Sequence, residues 1–213
     1  MDRIAYVGHS MGGALAPSVA AIAVPSGLTP PKAIMSVEPG KTWAKSERAA
    51  YDLEDLSKIP AGTLLLSLYG EDDRLVKETD ARRIYEESTA IPTSDKNLLM
   101  VRSDAHGSPK LTANHFAPTS AAPMGVSDGG DTRRQKLRQR IQNRFSRDKK
   151  KSDDSQVPAD ALDYYAYWKL MDGLTDATFY GVNREFALGN TPQQRSMGLW
   201  SDGTPVKEIQ VVA

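Results

Sequence analysis

Arg3-Ile4-Ala5-Tyr6-Val7-Gly8-His9-Ser10-Met11-Gly12-Gly13-Ala14-Leu15 is the stretch on which the fold turns. Arg3 to Gly8 is short, apolar and partly β-branched, the pattern of a buried strand. Ala14 to Val24 is rich in Ala, with Leu15, Val19 and Ile22 spaced as on a helix, and Pro25, Gly27, Pro30 and Pro31 end it. Between the two lies Gly8-x-Ser10-x-Gly12. A strand that turns at once into a helix projects the central hydroxyl above the sheet, and glycine on both flanks lets backbone approach backbone. The helix then aims its free N–H groups at the same point, so the Met11 N–H is placed for a developing oxyanion.

Three more strands are expected, at Lys32 to Val37, Thr63 to Tyr69 and Asn97 to Arg102. A polar helix over Lys77 to Glu87 turns Ile84 and Tyr85 inward. Alternation of this kind predicts an α/β fold, a parallel sheet flanked by helices on both faces. Three segments follow from composition. Residues 1–110 read as the core. Residues 111–156 read as a flexible basic insertion, beginning with the Pro-, Ala-, Ser- and Thr-rich stretch from Pro109 to Gly130. Residues 157–213 read as a C-terminal helix and tail that pack on the core, with a last strand expected at Lys207 to Val212.

Composition narrows the function. Of 213 residues, 39% are hydrophobic and 25% charged, enough to build a core and to exclude wholesale disorder. The absence of Cys removes disulfides, thiolate metal sites and cysteine nucleophiles. No apolar run reaches the roughly 20 residues that span a bilayer. Ala14 to Val24 is interrupted by Pro17 and Ser18 and makes a poor signal peptide. The formal net charge is +0, but ten of the 27 basic residues and only one acid, Asp148, fall between Arg133 and Lys151. The remaining body is therefore acidic. Leu137, Ile141 and Phe145 recur at intervals of four inside the basic run, so a basic amphipathic helix could touch nucleic acid or an anionic membrane. A solvated insertion is the expected reading.

A serine hydroxyl needs a base, and the base an orienting acid. In parallel sheets such groups sit at the carboxyl ends of strands. Gly70-Glu71-Asp72-Asp73-Arg74-Leu75-Val76 ends the strongest strand, and Asp104-Ala105-His106-Gly107 ends the next. Asp73 is the expected acid, with Asp72 and Glu38 as rivals. His106 is the expected base. Of the other two histidines, His9 is expected to pack beneath the elbow beside the substrate pocket, and His115 to lie on the surface past the strand end. No metal site is expected from histidines so dispersed. Trp43 stands where pocket walls are built, although core packing is as good a reading.

Gly8-His9-Ser10-Met11-Gly12-Gly13, the Gly-x-x-Asp-x-x-Val run from Gly70 to Val76, and His106-Gly107 together resemble the α/β-hydrolase superfamily. The resemblance covers about residues 2–107 and the helix near residues 160–173. It implies a serine esterase or lipase-like hydrolase that cleaves a small-molecule carboxylic ester through an acyl-enzyme, without a cofactor. Ser10 would be the nucleophile, Asp73 the acid, His106 the base and the Met11 N–H an oxyanion donor. In that superfamily the elbow follows the fifth strand. Its position here implies an N-terminally truncated domain that lacks the loop supplying the second oxyanion donor. Arg3 to Gly8 would then be a bare edge, open to pairing in a homodimer. The competing expectation is an inactive remnant whose basic insertion binds polyanions.

Overall fold

The sheet is ordered β1-β2-β3-β4-β5. Its strands are β1 (Ala5–His9), β2 (Ala33–Val37), β3 (Leu64–Gly70), β4 (Lys96–Val101) and β5 (Gln210–Val211). The first four are parallel, and β5 returns antiparallel to β4. The computed structural model describes residues 3–40, 52–119 and 159–213. Trp43, the basic run at residues 133–151 and the rest of the expected insertion beyond Thr119 lie outside the described residues.

Two helices cover one face of the sheet, α1 (Met11–Ala23) and α2 (Thr79–Glu87). Ala16, Ala20 and Ala21 of α1 and Ile84 of α2 pack there with Ile34 and Leu65. On the other face the chain from Leu162 to Trp168 is π-helical and runs into α3 (Lys169–Tyr180). Leu162, Ala166, Tyr167, Leu170 and Leu174 pack there with Met35, Val37, Leu66, Leu68, Leu99 and Val101. Alternation along β2 and β3 sends successive side chains to opposite cores, which is why both strands read as continuous apolar runs. On the face that carries Ile34 and Leu65, the next inward positions are small polar groups: Ser36 Oγ donates to the Gly13 carbonyl and Ser67 Oγ to that of Ala81. The expected α/β sheet with helices on both faces is therefore the observed one. Among the described residues no helix is long and apolar enough to cross a membrane.

Leu111 and Ala113 lie in the main core, 5% and 0% exposed. The core thus continues past residue 110, where the composition had suggested linker. After β4 the chain makes a narrow excursion closed by an antiparallel bridge between Asp104 and Leu111, then runs back over the sheet.

β1 is the edge strand, and its Val7 is exposed. Met11, Leu15, Val19 and Ile22 of the adjoining helix are exposed as well. The helical spacing that identified α1 from Leu15, Val19 and Ile22 therefore marks its outer side. Its inner side is built from Ala and Gly, because the helix lies close against β1 and β2.

A Cβ on Gly8 would stand 2.1 Å from the Gly12 carbonyl oxygen, and one on Gly13 2.8 Å from that of Val37. A Cβ on Gly12 would meet nothing within 4 Å. The crowded pair is thus Gly8 and Gly13, although the motif pairs Gly8 with Gly12. Gly8→Ala is expected to lower stability by about 2 kcal/mol or more through forced displacement of backbone. Gly12→Ala should be neutral or stabilise by up to about 1 kcal/mol. Urea denaturation of both variants beside the wild type checks this pair.

Candidate active site

Ser10 sits between β1 and α1 with φ 59° and ψ −123°, a left-handed conformation for a residue that has a side chain. Such a backbone costs about 1–3 kcal/mol and persists only where its surroundings impose it. Here the Ser10 N–H donates to the Val37 carbonyl at 3.0 Å, and the Gly40 N–H donates to the Ser10 carbonyl at 3.2 Å. The turn lifts Oγ to the carboxyl edge of the sheet. Met11 opens α1, so its N–H has no acceptor within the helix and points toward that edge.

Asp73 follows the end of β3. Its Oδ1 accepts from the N–H groups of Leu75 and Val76 at 2.8 and 3.1 Å, which is the physical content of the Gly-x-x-Asp-x-x-Val spacing. Its Oδ2 faces a histidine ring at 2.8 Å, and that ring belongs to His115. Burial alone would raise the Asp73 carboxyl. The hydrogen bonds from His115 and from the Val76 and Leu75 amides outweigh it and hold the group below its ordinary value. Asp73 is therefore a carboxylate that accepts from His115 Nδ1–H. That tautomer leaves Nε2 as acceptor, 2.9 Å from Ser10 Oγ. Ser10, His115 and Asp73 form one chain of hydrogen bonds, and His115 is only 2% exposed.

His106, the expected base, is elsewhere. Its ring is exposed, leans on Trp200 and bonds Asp202 Oδ2 at 2.7 Å. It is half of a surface pair, and it holds Asp202 down to about 2. Asp104, just before it, is the structural member of that motif. Oδ1 accepts from the His106 N–H, and Oδ2 accepts from Trp200 Nε1–H and the Lys207 N–H. These bonds tie the chain's C-terminal segment to the end of β4.

The loop that carries His115 is clamped from below. The Asp72 N–H donates to the Ala113 carbonyl at 2.9 Å, the Ala113 N–H donates to Ser103 Oγ at 2.9 Å, and Ser103 Oγ donates to Asp72 Oδ2 at 2.6 Å. Asp72, the rival of Asp73 in the sequence, is thus the anchor of the loop. A Cβ on Gly70 would come within 2.3 Å of the Ala113 carbonyl oxygen, so Gly70 is what admits the loop. The available signal for His115 was the apolar spacing Leu111-x-Ala113 inside an otherwise linker-like composition.

Two further groups adjoin the base. His9 Nε2 lies 2.8 Å from the His115 carbonyl, and the two rings pack with centroids 4.9 Å apart. His9 therefore lies beside His115. Glu38, at the end of β2, is fully buried, and Tyr167 Oη–H donates to its Oε1 at 3.4 Å. Burial pushes the Glu38 carboxyl above its ordinary value against the lowering pull of His9. The ligand-type atoms of His9, Glu38 and His115 all lie within 4.8 Å of one another. His115 could ligate an ion there only by giving up Asp73 or Ser10, since both its nitrogens are engaged. A separate groove lined by Tyr164, Trp168, Asp172, Asn183 and Phe186 shares no residue with this cluster.

Neither the protein-family models nor the curated proteins compared with this sequence match it.

Asp104→Ala leaves three donors without their acceptor, and a loss of about 1–3 kcal/mol is expected. Its carboxyl is held low by those same bonds against the raising effect of burial. The stabilisation is therefore present above the ordinary carboxyl range and fades as pH falls through and below it. The stability gap between wild type and variant, read by urea denaturation, should be full at pH 7 and shrink below about pH 4.

Proposed function

We propose that this chain is a serine hydrolase of the α/β-hydrolase type that cleaves carboxylic esters through an acyl-enzyme, with Ser10, His115 and Asp73 as its triad. The observation that carries the reading is the unbroken hydrogen-bond chain from Ser10 Oγ through both nitrogens of a buried imidazole to a buried carboxylate. The strained turn that presents Ser10 supports it, as does the position of all three groups at the carboxyl edge of the sheet.

In this mechanism Ser10 Oγ attacks the ester carbonyl while its proton passes to His115 Nε2. The new bond drives the carbonyl electrons onto oxygen, and the Met11 N–H stabilises the resulting oxyanion. Asp73 does not take the proton; it holds the ring in the required tautomer and balances the imidazolium. Collapse of the intermediate breaks the bond to the alcohol, which leaves with the proton from Nε2. Water, deprotonated by the same nitrogen, then attacks the acyl-enzyme; the bond from the acyl carbon to Ser10 Oγ breaks, Oγ takes the proton back from Nε2, and the acid is released. The transfers between Ser10 and His115 run along a contact of 2.9 Å.

The test is covalent labelling by a fluorophosphonate, read as intact mass. One adduct per chain is expected in the wild type and none in Ser10→Ala. His115→Ala should slow labelling by about a thousandfold or more, while His106→Ala leaves it unchanged. An adduct that persists in Ser10→Ala, or labelling that depends on His106 and not on His115, overturns the proposal.

A further inference from the structure

His115 rests on more than the acid. Its own carbonyl lies 2.8 Å from His9 Nε2, so the residue preceding the nucleophile holds the backbone of the base from 106 positions away. Glu38 Oε2 lies 3.5 Å from His9 Nε2 and 3.8 Å from His115 Nδ1. The Glu38 side chain is 1% exposed, and Oε2 accepts no hydrogen bond. A buried carboxylate oxygen with no donor is costly by a few kcal/mol. Glu38 also sits at φ 44°, a second strained residue at the same edge of the sheet. The fold holds this side chain in an unfavourable backbone and an unfavourable solvent environment, against two imidazoles.

We infer that His9 and Glu38 are positioning residues for the base: His9 fixes the backbone that carries His115, and Glu38 supplies a second carboxylate, beside Asp73, to the imidazolium formed in the reaction. The inference rests on the triad reading above. In the resting state the nearest imidazole nitrogen to Glu38 Oε2 is His9 Nε2. When His115 takes the Ser10 proton, Glu38 gains a cation within 4 Å, and the attraction acts through a buried, weakly screening medium. Stabilisation that grows as the proton transfers acts on the rate. Among the described residues, the titratable groups facing His115 are Asp73 from the turn after β3, Glu38 from just past the end of β2 and His9 from β1. Behind Glu38 stands Tyr167, whose hydroxyl is kept protonated by burial and by the charges of Glu38, Asp163 and Asp160. Tyr167 therefore donates to Glu38 and adds no charge of its own.

The experiment compares wild type, Glu38→Gln, His9→Leu and His9→Gln in two readouts. The first is NMR titration of the imidazole rings, tractable because the chain has three histidines. The second is the pH dependence of fluorophosphonate labelling at Ser10. Loss of the Glu38 charge is expected to move the midpoint of the His115 ring titration to lower pH by about one unit. The acid limb of the labelling profile should move the same way, with the plateau slowed about tenfold. His9→Leu should slow labelling about tenfold to a hundredfold through misplacement of the ring. His9→Gln, whose amide N–H can reach the same carbonyl, should recover most of that loss. An unchanged His115 midpoint in Glu38→Gln overturns the role of Glu38, and equal rates in the two His9 variants overturn that of His9. If the wild type takes no label, the triad reading fails by itself. The ring titration still decides on Glu38, and retention of the His115 chemical shifts in His9→Gln but not in His9→Leu still decides on His9.

Discussion

The carbonyl of Ala113 occupies the place where a side chain on Gly70 would stand. The placement of the base depends on that approach. Gly70 ends β3, and the two residues after the turn divide the work. The Asp72 amide and carboxylate hold the backbone of the returning loop, directly and through Ser103. Asp73, two residues after Glu71, holds the ring that the loop delivers. Asp73 and His115 are therefore registered against each other through a few covalent bonds of one turn. The burial of Leu111 supplies about 1.5–3 kcal/mol toward keeping the loop down. Each of the clamp's hydrogen bonds adds about 1 kcal/mol.

Ser10 is registered independently, from the edge strand β1. Gly8 and Gly13 have no room for a side chain, so α1 lies against β1 closely enough to force the turn between them. Ser10 absorbs the strain of that turn and is tied to β2 through the Val37 carbonyl. Loosening the helix from the sheet would let Ser10 relax and swing Oγ away from His115. Small residues on the inner side of α1 thus bear on the site, and one of them, Ala14, donates its N–H to the Ser10 carbonyl.

The turns that carry Ser10 and Asp73 were legible because each is local. Gly8-x-Ser10-x-Gly12 and Gly70-x-x-Asp73-x-x-Val76 are turns whose backbone demands are met within a few residues, and such demands leave a mark in sequence. Strands β1 to β4 were legible for the same kind of reason, as apolar runs closed by turn residues. The base was not. His115 reaches Ser10 across 105 positions, and what brings it there is the fit of a loop against Gly70 and the burial of Leu111 and Ala113. Two apolar residues in a stretch of Pro, Ser, Thr and Ala carry little weight by composition. His106, directly after a strand, carried more, and its place is explained by a surface pair with Asp202 and by the turn that Asp104 builds.

The sheet order gives Glu38 its position. β2 lies between β1 and β3, so the end of β2 lies between the strand that carries Ser10 and the strand that leads to Asp73. Neighbouring strands are about 4.8 Å apart, and an imidazole that joins the outer two must cross the middle one. Whatever residue ends β2 therefore lies under the ring of the base. A cation there would oppose the imidazolium, and an apolar residue would leave it supported by Asp73 alone. A carboxylate favours it, at the cost of its own burial, and that cost is offset only while a neighbouring imidazole is charged or donating. His9 makes the arrangement tolerable in the resting state, since it adjoins Glu38 whether or not His115 holds a proton. Parallel strands in sequential order thus turn a local choice at one strand end into an electrostatic condition on the base.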